Sequence, residues 1–94
     1  MHNDFEWDDA KAQANYRKHG VDFETATEVF QDAFALDDLD SMDYGEIRHR
    51  TTGHAGGTLV TVIYTERGDR IRIISARQAT RREHDRYYRE STQE

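Results

Sequence analysis

Between Thr58 and Thr65 the chain reads TLVTVIYT, its densest apolar run and one rich in β-branched residues, which predicts a strand. RIRIISA, from Arg70 to Ala76, alternates cation and isoleucine. That period of two puts Arg70 and Arg72 on one face of a strand, with Ile71 and Ile73 on the other. EIRHRTT, from Glu46 to Thr52, alternates more weakly. The turn signal ERGD and the glycine-rich TGHAGG separate these runs, so residues 46–77 read as three antiparallel strands joined by two hairpins. FEW at residues 5–7 predicts a short strand, and FALDDLDS is a weak strand candidate because of its acids.

Two segments carry the helical period. DDAKAQANYRKH is rich in helix formers, with Asp8 as N-cap and Gly20 just past its end. Asp8 and Asp9 at its start, and Arg17, Lys18 and His19 at its end, suit the helix macrodipole. DFETATEVFQD repeats Phe23, Ala26, Phe30 and Ala33 at helical spacing and predicts a second helix close behind. From Thr80 the polar run TRREHDRYYREST predicts a third, with Asp85–Arg89 and Arg86–Glu90 as i,i+4 pairs. The order β-α-α-β-β-β-β-α describes one α+β domain over residues 1–94. It has an antiparallel sheet, two N-terminal helices and one C-terminal helix.

Composition narrows this. Leu, Ile, Val and Phe number 16 of 94 residues, about 17%, a thin supply for a core, so the domain stands to gain stability from a partner. No cysteine is present, which excludes disulfides, thiolate metal sites and a thiol nucleophile. The acidic start MHNDFEWDD has no apolar core of a signal peptide, and LVTVIYT is too short to cross a bilayer, so the expected location is the cytoplasm.

Charge is divided along the chain. Residues 1–45 hold 12 acids and 3 bases, a net of −9, and residues 46–94 hold 7 acids and 10 bases, a net of +3. Arginine supplies 11 of the 13 cations, and seven of the arginines fall between Arg70 and Glu90. Arginine's planar fork suits phosphate or carboxylate. Arg67, Arg70, Arg72, Arg77, Arg81 and Arg82 are therefore candidates for a concave basic surface where sheet meets helix. The competing interpretation is a set of internal ion pairs. Tyr87 and Tyr88 are candidates to stack on a base, while Trp7, Tyr16, Tyr44 and Tyr64 are packing candidates. His2, His19, His49, His54 and His84 form no metal-binding spacing, and no metal or cofactor is expected. Glu46 among Arg48 and His49 is either a general base or an ordinary ion-pair partner.

Taken together, FEWDDAKAQANYRKHGVDFETATEVFQD, GEIR and TERGDRIRIISARQATRREHDRYY resemble the BrnT toxins of bacterial type II toxin–antitoxin systems, from Phe5 to about Tyr88. The resemblance implies a compact RelE-like fold and a metal-independent ribonuclease that halts translation by cutting RNA through attack of the ribose 2′-hydroxyl on the adjacent phosphate. It implies Lys18, Glu46, Arg48, Arg67 and Arg77 as catalytic candidates, with Arg67 and Arg77 on the phosphate. It also implies a cognate BrnA-like antitoxin in a 2:2 assembly, reaching operator DNA through the antitoxin. A catalytically inactive homologue that only joins such a complex is the alternative.

Overall fold

A computed structural model describes residues 4–43 and 45–91; His2 and Tyr44, singled out above, and the last three residues lie outside them. The elements are β1 (Asp4–Glu6), α1 (Asp9–His19), α2 (Phe23–Ala26), a 3₁₀ turn (Thr27–Gln31), β2 (Leu36–Asp43), β3 (Glu46–Ala55), β4 (Thr58–Arg67), β5 (Arg70–Gln78) and α3 (Arg81–Ser91). They form a five-stranded sheet in the order β1-β5-β4-β3-β2.

The helix ends follow the sequence. The Asp8 carboxylate accepts the Lys11 N–H at 3.1 Å, and Gly20 closes α1 at φ 72°. Three expectations need correction. The sheet is mixed, because β1 pairs parallel with β5, Asp4 opposite Arg70. The long excursion between those strands makes a parallel pairing possible, where a tight hairpin allows only an antiparallel one. The second helix is a single α turn that tightens into 3₁₀, with Thr27 Oγ1 donating to the Glu24 carbonyl and Asp32 N to Val29 O. β-Branched Thr25, Thr27 and Val29 favour such a break. Most of TGHAGG is strand, since β3 runs on to Ala55 and leaves only Gly56 and Gly57 for the turn, at φ 60° and 83°. Gly53 inside β3 lets the 3₁₀ turn pack closely, because a Cβ there would meet Val29 Cγ1 at 3.1 Å and push it aside by a few tenths of an ångström. The acid-rich segment 36–43 forms a full strand with a bulge between Leu39 and Ser41.

The two faces of the sheet differ in chemistry. On one, Val60, Val62, Ile71, Ile73 and Ala76 meet Val21, Phe23, Ala26 and Val29 in the core. A chain of rings extends it outward, Phe5 to Phe30 at 5.3 Å, Phe30 to Tyr64 at 5.0 Å and Tyr64 to His49 at 5.0 Å. Asn15 fastens α1 to the β5 edge: its side-chain amide donates to Ala76 O at 2.8 Å and Val21 O at 3.0 Å, and its carbonyl accepts from Ala76 N. The register places Arg48, Arg50, Arg67, Arg70, Arg72 and Arg77 together on the other face. Every arginine of the strands therefore points away from the core, and α3 lies across one end of that face.

Candidate functional site

At the open end of the arginine face, β3 begins where β4 ends. Glu46 accepts from Arg48 Nε at 3.2 Å, and Arg67 Nη2 lies 3.8 Å from its second oxygen. On the neighbouring strands, Glu6 is shared by Arg72 at 3.0 Å and Arg70 at 3.7 Å. Four guanidiniums thus hold two carboxylates, leaving positive charge in excess within this set. Arg67 and Arg70 have more than half of their side-chain surface in solvent, 55% and 54%. A phosphate arriving here meets forked donors already in place.

At the other end the arginines are engaged by α3. Glu83 takes Arg77 Nη1 at 2.8 Å and Nη2 at 3.0 Å, Thr61 Oγ1 at 2.9 Å and Thr80 N at 2.9 Å. Thr80 Oγ1 accepts Glu83 N at 3.1 Å in return, so T-x-x-E is a capping box that also clamps the sheet. Burial pushes the Glu83 carboxyl up, but donation from Arg77, Thr80 and Thr61 outweighs it and holds the group at about 2. Farther along α3, Arg86 donates to both oxygens of Asp38, at 2.6 and 3.2 Å, which holds that carboxyl below its ordinary range against the opposing effect of burial. Tyr87 donates to Asp32 Oδ2 at 2.6 Å, and the same oxygen accepts His54 N, capping the β3 edge beyond the end of β2. Between α3 and the sheet lies a groove of about 580 Å³ lined by Arg50, Arg82, Arg86, Arg89, Asp38 and Glu83, among others.

The structure therefore joins some of the candidates and separates others. Glu46, Arg48 and Arg67 form one group with Arg70 and Arg72 beside it. Arg77 pairs with Thr61 in register, six residues along β4 from Arg67, about 20 Å away by the rise of a strand. Lys18 is exposed in the last turn of α1, beside Arg17 and His19, and makes no ion pair among the described residues. Arg81 pairs with Asp85 at 3.7 Å on the outside of α3, and Arg82 lines the groove. Tyr87 is buried and presents no ring for stacking; Tyr88 is exposed, its hydroxyl 3.1 Å from His54 Nε2.

Arg50 and Arg86, which also line the groove, were not among the predicted RNA-binding residues. Arg50 was within reach, since EIRHR puts it on the same strand face as Arg48. Arg86 was legible only as an i,i+4 partner of Glu90, a pair the structure contains at 3.2 Å; its grip on Asp38 is a tertiary contact. Among the described residues no group of three or more His, Asp or Glu is placed to hold a metal ion, and no helix is long and apolar enough to cross a membrane.

No curated protein is similar enough to match the chain. A family model does match, over residues 7–83, and its description is the ribonuclease toxin BrnT of type II toxin–antitoxin systems. That span takes in α1, α2, β2 to β5 and the Glu83 clamp, most of the 94 residues, and the chain belongs to the BrnT family of ribonuclease toxins.

Proposed function

We propose that this toxin is a metal-independent endoribonuclease whose reaction centre is the open end of the arginine face. The observation that carries the proposal is the Glu46 carboxylate held between Arg48 and Arg67 at an exposed strand end. Glu46 takes the proton of a ribose 2′-hydroxyl, the 2′-oxygen attacks phosphorus, and the bond to the 5′-oxygen breaks. The proton taken up by Glu46 passes by way of solvent to the leaving 5′-oxygen, which departs as a hydroxyl and leaves a 2′,3′-cyclic phosphate, with Glu46 ionised again. Arg48 and Arg67 stabilise the charge that builds on the phosphorane, a kind of contribution that is usually the largest single one in such reactions. Arg70 and Arg72 hold the adjoining phosphate, while Arg50 and Arg82 extend the track into the groove. Of the two tyrosines of α3, Tyr88 is the exposed one and is the candidate to stack on a base, which would add to its present ring contacts with His84 and Tyr87. In this scheme Arg77 positions α3, and Lys18 serves α1.

The RelE-like character of the fold rests on the same family membership. The wider setting follows it too: a cytoplasmic toxin that inhibits translation, silenced by a DNA-binding BrnA-like antitoxin in a 2:2 complex that represses its operon. A second interpretation has one observation in its favour. The strand arginines are all paired to the chain's own carboxylates, as expected of a silent binding module. Induced expression separates the two: growth arrest, abolished by Arg67→Ala, supports the enzyme, and harmless expression of the native chain supports the module.

A further inference from the structure

The core face of the sheet is left uncovered at its outer corner. Leu39 is 61% exposed, Met42 67% and Ile47 46%. Register puts them side by side, Leu39 opposite His49 and Met42 opposite Ile47, on the face that elsewhere packs against α1 and α2. They continue the ring chain that ends in His49, so the patch is an extension of the core. Beside it runs β2, the last strand of the sheet, whose outer edge pairs with no described residue.

Charge selects what can cover this corner. On this face, β2, β3 and β4 carry no Lys or Arg; all the cations of those strands point the other way. Asp37 is on this face and bonds the neutral Tyr64 hydroxyl at 2.8 Å, which leaves its charge uncompensated, and Glu66 makes no ion pair among the described residues. β2 itself contains four aspartates in eight residues, and it bulges after Leu39. Both features oppose pairing with a second copy of the same strand, where acid would face acid. A basic partner meets no such penalty.

We infer that the β2 edge and the Leu39–Met42–Ile47 patch form the docking surface for a basic, apolar-faced segment of the antitoxin, added alongside β2. This rests on the toxin–antitoxin assignment and names where the partner sits. The location also explains silencing. Ser41 pairs with Arg48 and Asp43 with Glu46, so a segment against β2 lies about 10 Å, two strand spacings, from the catalytic group and crowds the RNA that would reach it.

The test measures binding of the antitoxin encoded with this chain to native protein and to Leu39→Glu/Met42→Glu, with RNA cleavage assayed on the same samples. Both positions are exposed, so the variant keeps its fold. Leu39→Ser/Met42→Ser removes the apolar contact without adding charge. The expected result is about 30- to 100-fold weaker binding for the Glu variant and an intermediate loss for the Ser variant. Native affinity should fall with added salt, and cleavage should be unchanged in both variants but no longer silenced. Unaltered antitoxin affinity in the Glu variant overturns the inference. So does a native homodimer that the variant dissociates, which would assign the patch to a second copy. A native chain that cleaves RNA but binds no antitoxin also overturns it while leaving the ribonuclease intact; loss of cleavage in the native chain strikes the enzyme assignment instead.

Discussion

Glu83 holds Arg77 at both ends of its guanidinium, at 2.8 and 3.0 Å, from the first turn of α3. Because the same carboxylate also accepts from Thr61 and Thr80, it ties the helix to its own N-cap and to the middle of the sheet. Glu83→Gln keeps the shape and loses the charge. It should cost about 1.5–3 kcal/mol, the range for hydrogen bonds to charged groups, read as a lower midpoint in urea unfolding.

The same contact fixes a pH dependence. Glu83 titrates at about 2 in the folded chain, against an ordinary 4.5. The folded value is depressed, so the stabilisation is complete above about pH 4.5 and is lost as pH falls toward 2. The stability difference between native protein and Glu83→Gln should shrink across that window and stay constant from pH 6 to 8. A difference that does not change between pH 5 and 2 would show that the clamp contributes no such linkage.

Arg67→Ala and Arg77→Ala should fail in different ways. Arg67 is half-exposed and belongs to the proposed centre, so its loss should lower the cleavage rate about 10²–10³-fold with little change in unfolding midpoint. Arg77→Ala should lower stability first, and its activity should recover when the assay is cooled. Parallel rate and thermal-unfolding measurements separate the two patterns.

Asn15→Ala should be among the costliest changes in α1. Asn15 is buried and makes three hydrogen bonds to the backbone of Val21 and Ala76, all of which lose their partner. A loss of about 2–4 kcal/mol is expected, as for stranded buried polar groups. Asp9→Ala, on the exposed side of the same helix, is the control and should stay within about 0.5 kcal/mol.

These contacts show where sequence patterns stop. Alternation from Arg70 to Ile73 and the caps Asp8 and Gly20 are local, and both are present as expected. Glu46 and Arg48 share a face by the same local rule. That Arg67 joins them depends on the length of the β3–β4 hairpin, and that Arg77 does not depends on its distance along β5. Asn15 looks like any polar helix residue until β5 presents an unpaired edge to it. T-x-x-E at Thr80–Glu83 was a readable helix start, but its grip on Arg77 and Thr61 is tertiary. The parallel pairing of β1 had no signal in its three residues.

Binding to RNA should be steeply salt-dependent despite the net charge of −6. Each phosphate neutralised on a single strand contributes about 0.7 to the slope of log affinity against log salt. Arg70→Ala and Arg72→Ala should each lower that slope by about this amount, whereas Lys18→Ala should leave it unchanged.

The central claim is tested most directly by incubating purified native protein and Arg67→Ala with end-labelled RNA in EDTA. The account predicts fragments ending in 2′,3′-cyclic phosphate from the native chain and a rate lower by about 10²–10³ in the variant. Equal cleavage by both proteins, or products with a 3′-hydroxyl, would contradict it.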